Sequence, residues 1–109
     1  MCAELDFETR TIRTLDSMGH SRGLITCNLL RYLRDEHRAR FNRELPPVWR
    51  TETVRGIPRQ GDGFNCGVFC CYYMDYLLRQ RPWDFTMQHS PYMRARVTLA
   101  LIQGCAPVD

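Results

Sequence analysis

The chain has 109 residues, 44% of them hydrophobic and 25% charged, which is a composition typical of a single globular domain. Its net charge is +3, from 15 basic and 12 acidic residues. All 15 basic residues are arginines, because lysine is absent. It contains no run of about 18 apolar residues that could cross a membrane, and residues 1–8 lack the basic start and apolar middle of a signal peptide. We therefore expect a soluble intracellular protein without a membrane partner.

In chain order, the first predicted elements are a β-hairpin and a helix. Residues 2–7 and 11–15 have strand-like patterns, and residues 8–10 supply an acidic and polar turn between them. Residues 16–19 end the second strand. A helix is predicted from residue 23 to about residue 40. The apolar residues that recur there at helical spacing are Leu24, Ile25, Leu29, Leu30 and Leu33.

The second half of the chain is predicted to contain a strand and two further helices. Residues 45–49 include two prolines and serve as a connector, and residues 51–57 have a modest strand signal that Pro58 ends. Residues 67–80 are apolar on nearly every side, which predicts a helix buried all round. Residues 91–103 form the last predicted helix. Its expected inner face consists of Met93, Val97, Ala100 and Leu101.

A cluster of arginines lies in the first predicted helix and just beyond it. Its members are Arg34, Arg38, Arg40 and Arg43. Because arginine pairs well with phosphate, this cluster raises nucleic-acid binding as a hypothesis. Acidic residues interrupt the cluster, and neither interleaved aromatic residues nor a nucleic-acid-binding motif accompanies it. A solvated helix face is the favoured interpretation, so no nucleic-acid partner is expected.

The chain contains six cysteines. They are Cys2, Cys27, Cys66, Cys70, Cys71 and Cys105. Their irregular spacing in a chain without a secretion signal favours reduced thiols over a disulfide framework. No Cys-x-x-Cys pair is present, and on a helix Cys71 would point about 100° away from the face that Cys66 and Cys70 share. We therefore expect neither a metal site nor a cofactor.

One of these cysteines has surroundings that suit a nucleophile. Cys66 lies between a glycine-rich loop and the start of an apolar helix. The partial positive charge of a helix N-terminus favours thiolate over thiol, and its N–H groups can hydrogen-bond an oxyanion beside the sulfur. Gly67 removes a side chain that would crowd an approaching substrate. The spacing alone leaves a buried structural cysteine equally open as an alternative.

The stretch from Gln60 to Phe69, Gln-Gly-Asp-Gly-Phe-Asn-Cys-Gly-Val-Phe, resembles the nucleophile motif of the ubiquitin-like-protein-specific, or SUMO (sentrin)-specific, cysteine proteases. In that family a glutamine six residues before the cysteine supplies an oxyanion-hole donor, and Gln60 stands at that position. Leu-Asp-Ser-Met-Gly at residues 15–19 is similar to the strand-end motif with the catalytic aspartate, which maps to Asp16. Because residues 29–36 and 85–94 also resemble family segments, the similarity covers essentially the whole chain.

Two features depart from the family pattern. The family usually has aspartate directly before the cysteine, whereas this chain has the isosteric but uncharged Asn65. A nearby carboxylate disfavours a thiolate, so this change does not by itself harm the nucleophile. The family's general base is the histidine of a His-Trp pair, and counting back from Asp6 places that pair immediately before Met1. We therefore expect residues 1–109 to be a single partial protease domain, with His20 as the first candidate for a substitute base.

The resemblance implies an α+β, papain-like cysteine protease fold, of which this chain is the C-terminal half: a small mixed sheet packed on a buried helix with the nucleophile at its N-terminus. It implies a peptidase that cleaves after the C-terminal diglycine of SUMO or a related modifier. In that reaction Cys66 attacks the carbonyl, Gln60 and the Cys66 N–H hold the oxyanion, and Asp16 orients the histidine. The implied partners are SUMO or a related ubiquitin-like protein and its conjugates, and the implied location is the nucleus. The alternative is an inactive fragment or pseudoprotease that binds such a modifier.

Overall fold

The computed structural model describes residues 1–105, which form a three-stranded sheet and three α-helices. The strands are β1 (Cys2–Asp6), β2 (Thr11–Leu15) and β3 (Arg50–Thr53), and the helices are α1 (Gly23–Phe41), α2 (Cys66–Arg79) and α3 (Ser90–Gln103). A short 3-10 turn, Met87–His89, leads directly into α3. Within this part of the chain, no helix combines the length and apolarity that a bilayer span requires. The α+β class expected from the sequence is confirmed.

The predicted hairpin is confirmed, and its second strand lies in the middle of the sheet. β1 and β2 pair antiparallel, in a register that places Cys2 opposite Leu15. The Asp6 carboxylate accepts hydrogen bonds from the backbone N–H groups of Glu8 and Thr9, at 3.0 and 3.2 Å. An aspartate that bonds the backbone in this way stabilises a tight turn. Asp6 therefore stabilises the turn that connects β1 to β2.

β3 pairs with the other side of β2 and runs parallel to it. It covers Arg50–Thr53 and is therefore shorter than the strand predicted over residues 51–57. The N–H of Val54 still donates to the carbonyl oxygen of Thr14 at 2.9 Å. Beyond it Gly56 adopts a φ of 73°, a left-handed conformation that glycine tolerates, and the chain leaves the sheet.

The core is built mainly from aromatic side chains of α2. Its buried apolar members are Cys2, Leu15, Ile57, Phe69, Tyr72, Tyr73, Tyr76, Phe85 and Met93. Phe85, in the segment that connects α2 to α3, has its ring centroid 4.9 to 6.3 Å from all four buried aromatic rings of α2. Tilted and edge-on contacts at these distances add to the stabilisation from burial. The core therefore fixes α2 firmly against the rest of the molecule.

The expectation that α2 is buried on all sides is wrong. Met74 is 45% exposed, Leu78 is 86% exposed, and Cys71 is also exposed. The buried positions recur at helical spacing, so one face of α2 packs while the opposite face is open. The apolar sequence predicted the helix correctly, but burial depends on which neighbouring elements cover each face.

Fewer residues of α3 are buried than the sequence predicts. Met93 is buried and Val97 is partly buried, as expected, but Leu101 is 78% exposed. Leu101 and Val97 line an open groove of about 430 Å³ between α2 and α3, so the last turn of α3 does not close against its neighbour.

The arginines of α1 lie on a solvated face, as the sequence favoured. Nε of Arg40 is 2.6 Å from Oε1 of Glu36, one helical turn away. Arg38 donates two hydrogen bonds to Glu44, both at 2.9 Å. These pairs are largely exposed, and they use acidic residues of the same cluster to balance the arginine charge.

Candidate active site

Cys66 is the first residue of α2, and it is exposed. The first helical hydrogen bond runs from the Phe69 N–H to the carbonyl oxygen of Asn65 at 3.0 Å. Within residues 1–105, no side chain caps the N-terminus of α2. The N–H groups of its first turn therefore remain available beside the thiol, where their partial positive charge suits an oxyanion.

The loop that leads into Cys66 is shaped by Asp62. Oδ1 of Asp62 accepts hydrogen bonds from the backbone N–H groups of Phe64 and Asn65, at 3.1 and 3.0 Å. This is the Asx-type turn that an aspartate between two glycines predicts. Burial raises the pKa of the Asp62 carboxyl, but these N–H groups outweigh it, so the pKa lies below its usual value. The carboxylate is ionised at neutral pH and holds the loop in place.

Gln60 ties this loop to the end of β2. Its side-chain carbonyl accepts a hydrogen bond from the Ser17 hydroxyl, and its backbone N–H donates to the carbonyl oxygen of Ser17 at 3.0 Å. Its side-chain Nε2 donates to the carbonyl oxygen of Asp62 at 2.8 Å. Both the oxygen and the nitrogen of the Gln60 amide are thus held by hydrogen bonds, and one of its two N–H groups donates to the loop.

Asp16 lies at the end of β2 and is 5% exposed. Its carboxylate accepts hydrogen bonds from the Met18 N–H at 2.9 Å and from Nε of Arg22 at 2.8 Å. Burial raises the pKa of Asp16, but these two donors hold it below the usual value, so the group is an anion at neutral pH. Nδ1 of His20 lies 3.6 Å from Oδ2 of Asp16, beyond hydrogen-bonding distance, and the imidazole is mostly exposed.

The three residues singled out for catalysis are linked through the loop and the strand end. Ser17 connects the neighbourhood of Asp16 to Gln60, and Asp62 connects Gln60 to the residues just before Cys66. The bond between Ser17 and Gln60 spans 43 residues of sequence, so the fold is what brings these segments together.

Sequence reasoning did not single out Arg94, which contacts the loop from α3. Its Nε donates to Oδ1 of Asn65 at 2.6 Å, and its Nη2 donates to the carbonyl oxygen of Phe64 at 3.1 Å. The guanidinium carbon also lies 5.5 Å from the centre of the Phe64 ring. The position of Arg94 at the end of the family-like segment 85–94 was the one signal that pointed to it.

The other thiols of this region have different environments from Cys66. Burial and the neighbouring Cys70 thiol raise the pKa of Cys2 to about 11. Sγ of Cys70 donates to the carbonyl oxygen of Met1 at 3.3 Å. Across residues 1–105, no three His, Cys, Asp or Glu side chains cluster in a way that could hold a metal ion. Of the thiols near the start of α2, Cys66 is the one at the helix N-terminus.

The chain is similar to known proteins along most of its length. Residues 5–105 match the Ulp1 protease family, C-terminal catalytic domain. Sentrin-specific protease 2 of Homo sapiens is 33% identical over 101 residues, which cover 90% of this chain and 17% of that protein. Ubiquitin-like-specific protease 1A of Arabidopsis thaliana is 33% identical over 102 residues, which cover 93% of this chain and 20% of that protein. The chain thus spans a fifth or less of the length of these relatives.

Solved structures share the fold. The C-terminal Ulp1 protease domain in complex with Smt3, the yeast ortholog of SUMO, aligns with a TM-score of 0.74 and 19% identity, over 93% of this chain and 45% of that one. The SUMO protease Ulp1 with its catalytic cysteine oxidised to a sulfenic acid also aligns with a TM-score of 0.74. These alignments confirm the expected α+β fold, and the first of them covers less than half of the Ulp1 chain. Because the family match covers nearly the whole sequence, this chain belongs to the Ulp1 protease family.

Proposed function

We propose that this chain is the nucleophile-bearing C-terminal part of a cysteine peptidase domain that cleaves after the C-terminal diglycine of SUMO or a related modifier. The reaction would release the modifier from conjugates or process its precursor, and we place it in the nucleus. The observation that carries the proposal is an exposed Cys66 at the first position of α2, beside uncapped N–H groups. The names of the relatives and the Smt3 complex of Ulp1 support the class of substrate.

In the proposed mechanism the Cys66 thiolate attacks the carbonyl carbon of the modifier's last glycine. The oxyanion that forms lies at the N-terminus of α2, where the Cys66 N–H and the second side-chain N–H of Gln60 donate to it. Collapse of this intermediate expels the amine and leaves a thioester on Cys66, which water then hydrolyses. The hydrogen bonds that fix the Gln60 amide support its role, since a preorganised donor pays little reorganisation cost.

We further propose that the general base is a histidine from a His-Trp pair preceding residue 1, so that residues 1–109 form part of the catalytic domain. An imidazolium there would donate a proton to the leaving amine, and Asp16 would orient the ring. The support for Asp16 is its burial and its low pKa, which keep it an anion that can stabilise an imidazolium. The short span of the chain relative to its relatives fits this division.

A second candidate function is binding of a ubiquitin-like modifier without catalysis. The observation in its favour is the ion pair between Asp16 and Arg22, in which Nε of Arg22 lies 2.8 Å from Oδ2 of Asp16. That contact occupies a carboxylate oxygen that an orienting aspartate would offer to an imidazole. A protein of this kind would bind the modifier and leave its C-terminal amide intact.

Turnover of a fluorogenic amide at the C-terminus of SUMO separates these functions. We expect no measurable turnover by residues 1–109 alone, because a triad without its base loses most of its rate enhancement. A chain extended upstream by about eighty to a hundred residues, a length within the usual domain range, should recover turnover. Cys66→Ser in the extended chain should abolish it, whereas Cys71→Ser should retain it. Modifier binding without turnover by the extended chain would favour the second function instead.

A further inference from the structure

Asn65, the residue before Cys66, is 2% exposed and lies between two opposite charges. Its Nδ2 donates to Oδ2 of Asp62 at 2.5 Å, and its Oδ1 accepts from Nε of Arg94 at 2.6 Å. A single neutral amide therefore joins a carboxylate from the loop to a guanidinium from α3. Each half of the amide faces the charge that its polarity suits.

This arrangement admits few substitutes, because the amide must donate on one side and accept on the other. An aspartate at position 65 would keep the bond from Arg94 but would set two carboxylate oxygens face to face, where the amide now donates across 2.5 Å to Asp62. An asparagine at position 62 would lose an acceptor, since both oxygens of Asp62 already accept hydrogen bonds. The first change leaves an acceptor facing an acceptor, and the second leaves a donor facing a donor.

The same contacts fix the direction in which the chain enters α2. The carbonyl oxygen of Asn65 accepts the first helical hydrogen bond, from the Phe69 N–H. Arg94 also donates to the preceding carbonyl, that of Phe64, and lies near the Phe64 ring. The two residues before Cys66 are thus held by α3 on one side and by Asp62 on the other, while Cys66 itself is exposed.

We propose that Asn65, bridged between Asp62 and Arg94, is a positioning residue that sets the place of the Cys66 thiol at the start of α2. The catalytic consequence rests on the proposed peptidase function, but the placement of the thiol does not. Positions 62 and 65 act as one unit that needs one amide and one carboxylate. The asparagine at position 65 is therefore matched to Asp62.

An isosteric exchange tests this inference in the full chain. The variants are Asn65→Asp, Asp62→Asn and the double exchange Asp62→Asn with Asn65→Asp, with Asp35→Asn, on the exposed surface of α1, as the matched control. The readout is the rate at which iodoacetamide labels Cys66, divided by the rate for Cys71, which is exposed on the same helix. Mass mapping measures both rates in one sample, and the urea midpoint of each variant is recorded beside them.

Each single exchange should lower the ratio of the Cys66 rate to the Cys71 rate by about threefold or more. The reason is that a frayed helix start no longer directs its N–H groups at the Cys66 sulfur, which is already exposed. The double exchange restores both bonds of the bridge: the new amide at position 62 donates to the new carboxylate at position 65, which reverses that bond, and Arg94 still donates to position 65. It should return the ratio to within about twofold of the original, which is strong non-additivity.

Three results would overturn the proposal: unchanged ratios in both single variants, a double variant no better than Asn65→Asp, or lowered urea midpoints with unchanged ratios, which would make the bridge merely structural. If Asn65→Asp does not fold, Arg94→Lys decides, since lysine keeps the charge but lacks the planar fork whose two nitrogens donate to Asn65 and Phe64. Arg94→Lys should also lower the ratio. Because labelling needs no substrate, an inactive peptidase would leave this test unaffected.

Discussion

α1 is predicted from apolar periodicity and α2 from a continuous apolar run, and the two helices contribute to the molecule in different ways. α1 has 19 residues, of which Thr26 is buried, and its Leu24 is 76% exposed. α2 has 14 residues and buries four aromatic side chains. The shorter helix therefore carries the core and presents Cys66, while the longer one lies at the edge and is lined by surface ion pairs. Helix length and apolar content do not decide where stability resides; the neighbours that cover a helix do.

The largest expected contrast comes from truncating one apolar side chain in each helix. Phe69→Ala in α2 should cost about 3–5 kcal/mol of unfolding free energy, because Phe69 is fully buried against Phe85 and Tyr73. Leu29→Ala in α1 should cost about 1 kcal/mol, because Leu29 is only partly buried. Urea unfolding followed by circular dichroism measures both. Equal losses would contradict the difference drawn between the helices.

The next effect concerns Asp16, which is held at the end of β2. Asp16→Asn should lower stability at pH 7 by about 2 kcal/mol, because Arg22 and the Met18 N–H both donate to the carboxylate. Since the folded-state pKa of Asp16 lies below its unfolded value, this stabilisation is present above about pH 4 and is lost as the pH falls through the folded-state pKa. The difference between wild type and variant should therefore shrink towards pH 3 in urea titrations. A constant difference from pH 7 to pH 3 would show that the carboxylate charge is not its source.

A smaller effect is expected on the open face of α2. Leu78→Gln should change the stability of the chain by less than about 0.5 kcal/mol, because Leu78 is 86% exposed. The same urea measurement, made beside Phe69→Ala, compares the two faces of one helix directly. A loss near that of Phe69→Ala would mean that the exposed face is covered in solution.

The smallest effect concerns the ion pairs on the surface of α1. Arg40→Gln removes the contact with Glu36, which lies in high dielectric and is screened by salt. We expect a slight loss of thermal stability that disappears in about 1 M salt. Arg55→Gln, at an exposed position outside α1, serves as the control for loss of one positive charge. A salt-independent loss for Arg40→Gln would indicate a packing role for its side chain.

The sequence predicted the elements well because each depends on local patterns. The hairpin follows from two strand-like segments around an Asp6 turn, and the start of α2 follows from a glycine-rich loop ahead of an apolar run. Local patterns did not predict which helix faces are buried by neighbouring elements, as the exposed Leu78 and Leu101 illustrate. Whether an apolar side chain is buried depends on elements distant in sequence.

The candidate site also contains features that the local sequence indicates and features that depend on the packing of distant elements. Cys66 could be singled out from its own neighbours as a candidate nucleophile, with a buried structural cysteine equally open, while Asp16 and Gln60 needed the resemblance to a family. The contact between Arg94 and Asn65 joins residues 29 positions apart, and the position of Arg94 in the family-like segment 85–94 does not indicate that Asn65 is its partner. Such contacts follow from the packing of α3 beside the loop, which periodicity does not specify.

We propose Cys66 as the nucleophile that attacks the C-terminus of a ubiquitin-like modifier. The most direct test is covalent capture by SUMO that carries a vinyl sulfone at its C-terminus, using the extended catalytic domain that contains residues 1–109. Peptide mapping should place the adduct on Cys66, with none formed by Cys66→Ser and undiminished capture by Cys71→Ser. An adduct on Cys71, or the absence of any adduct while Cys66 is intact and the domain is folded, would contradict the account.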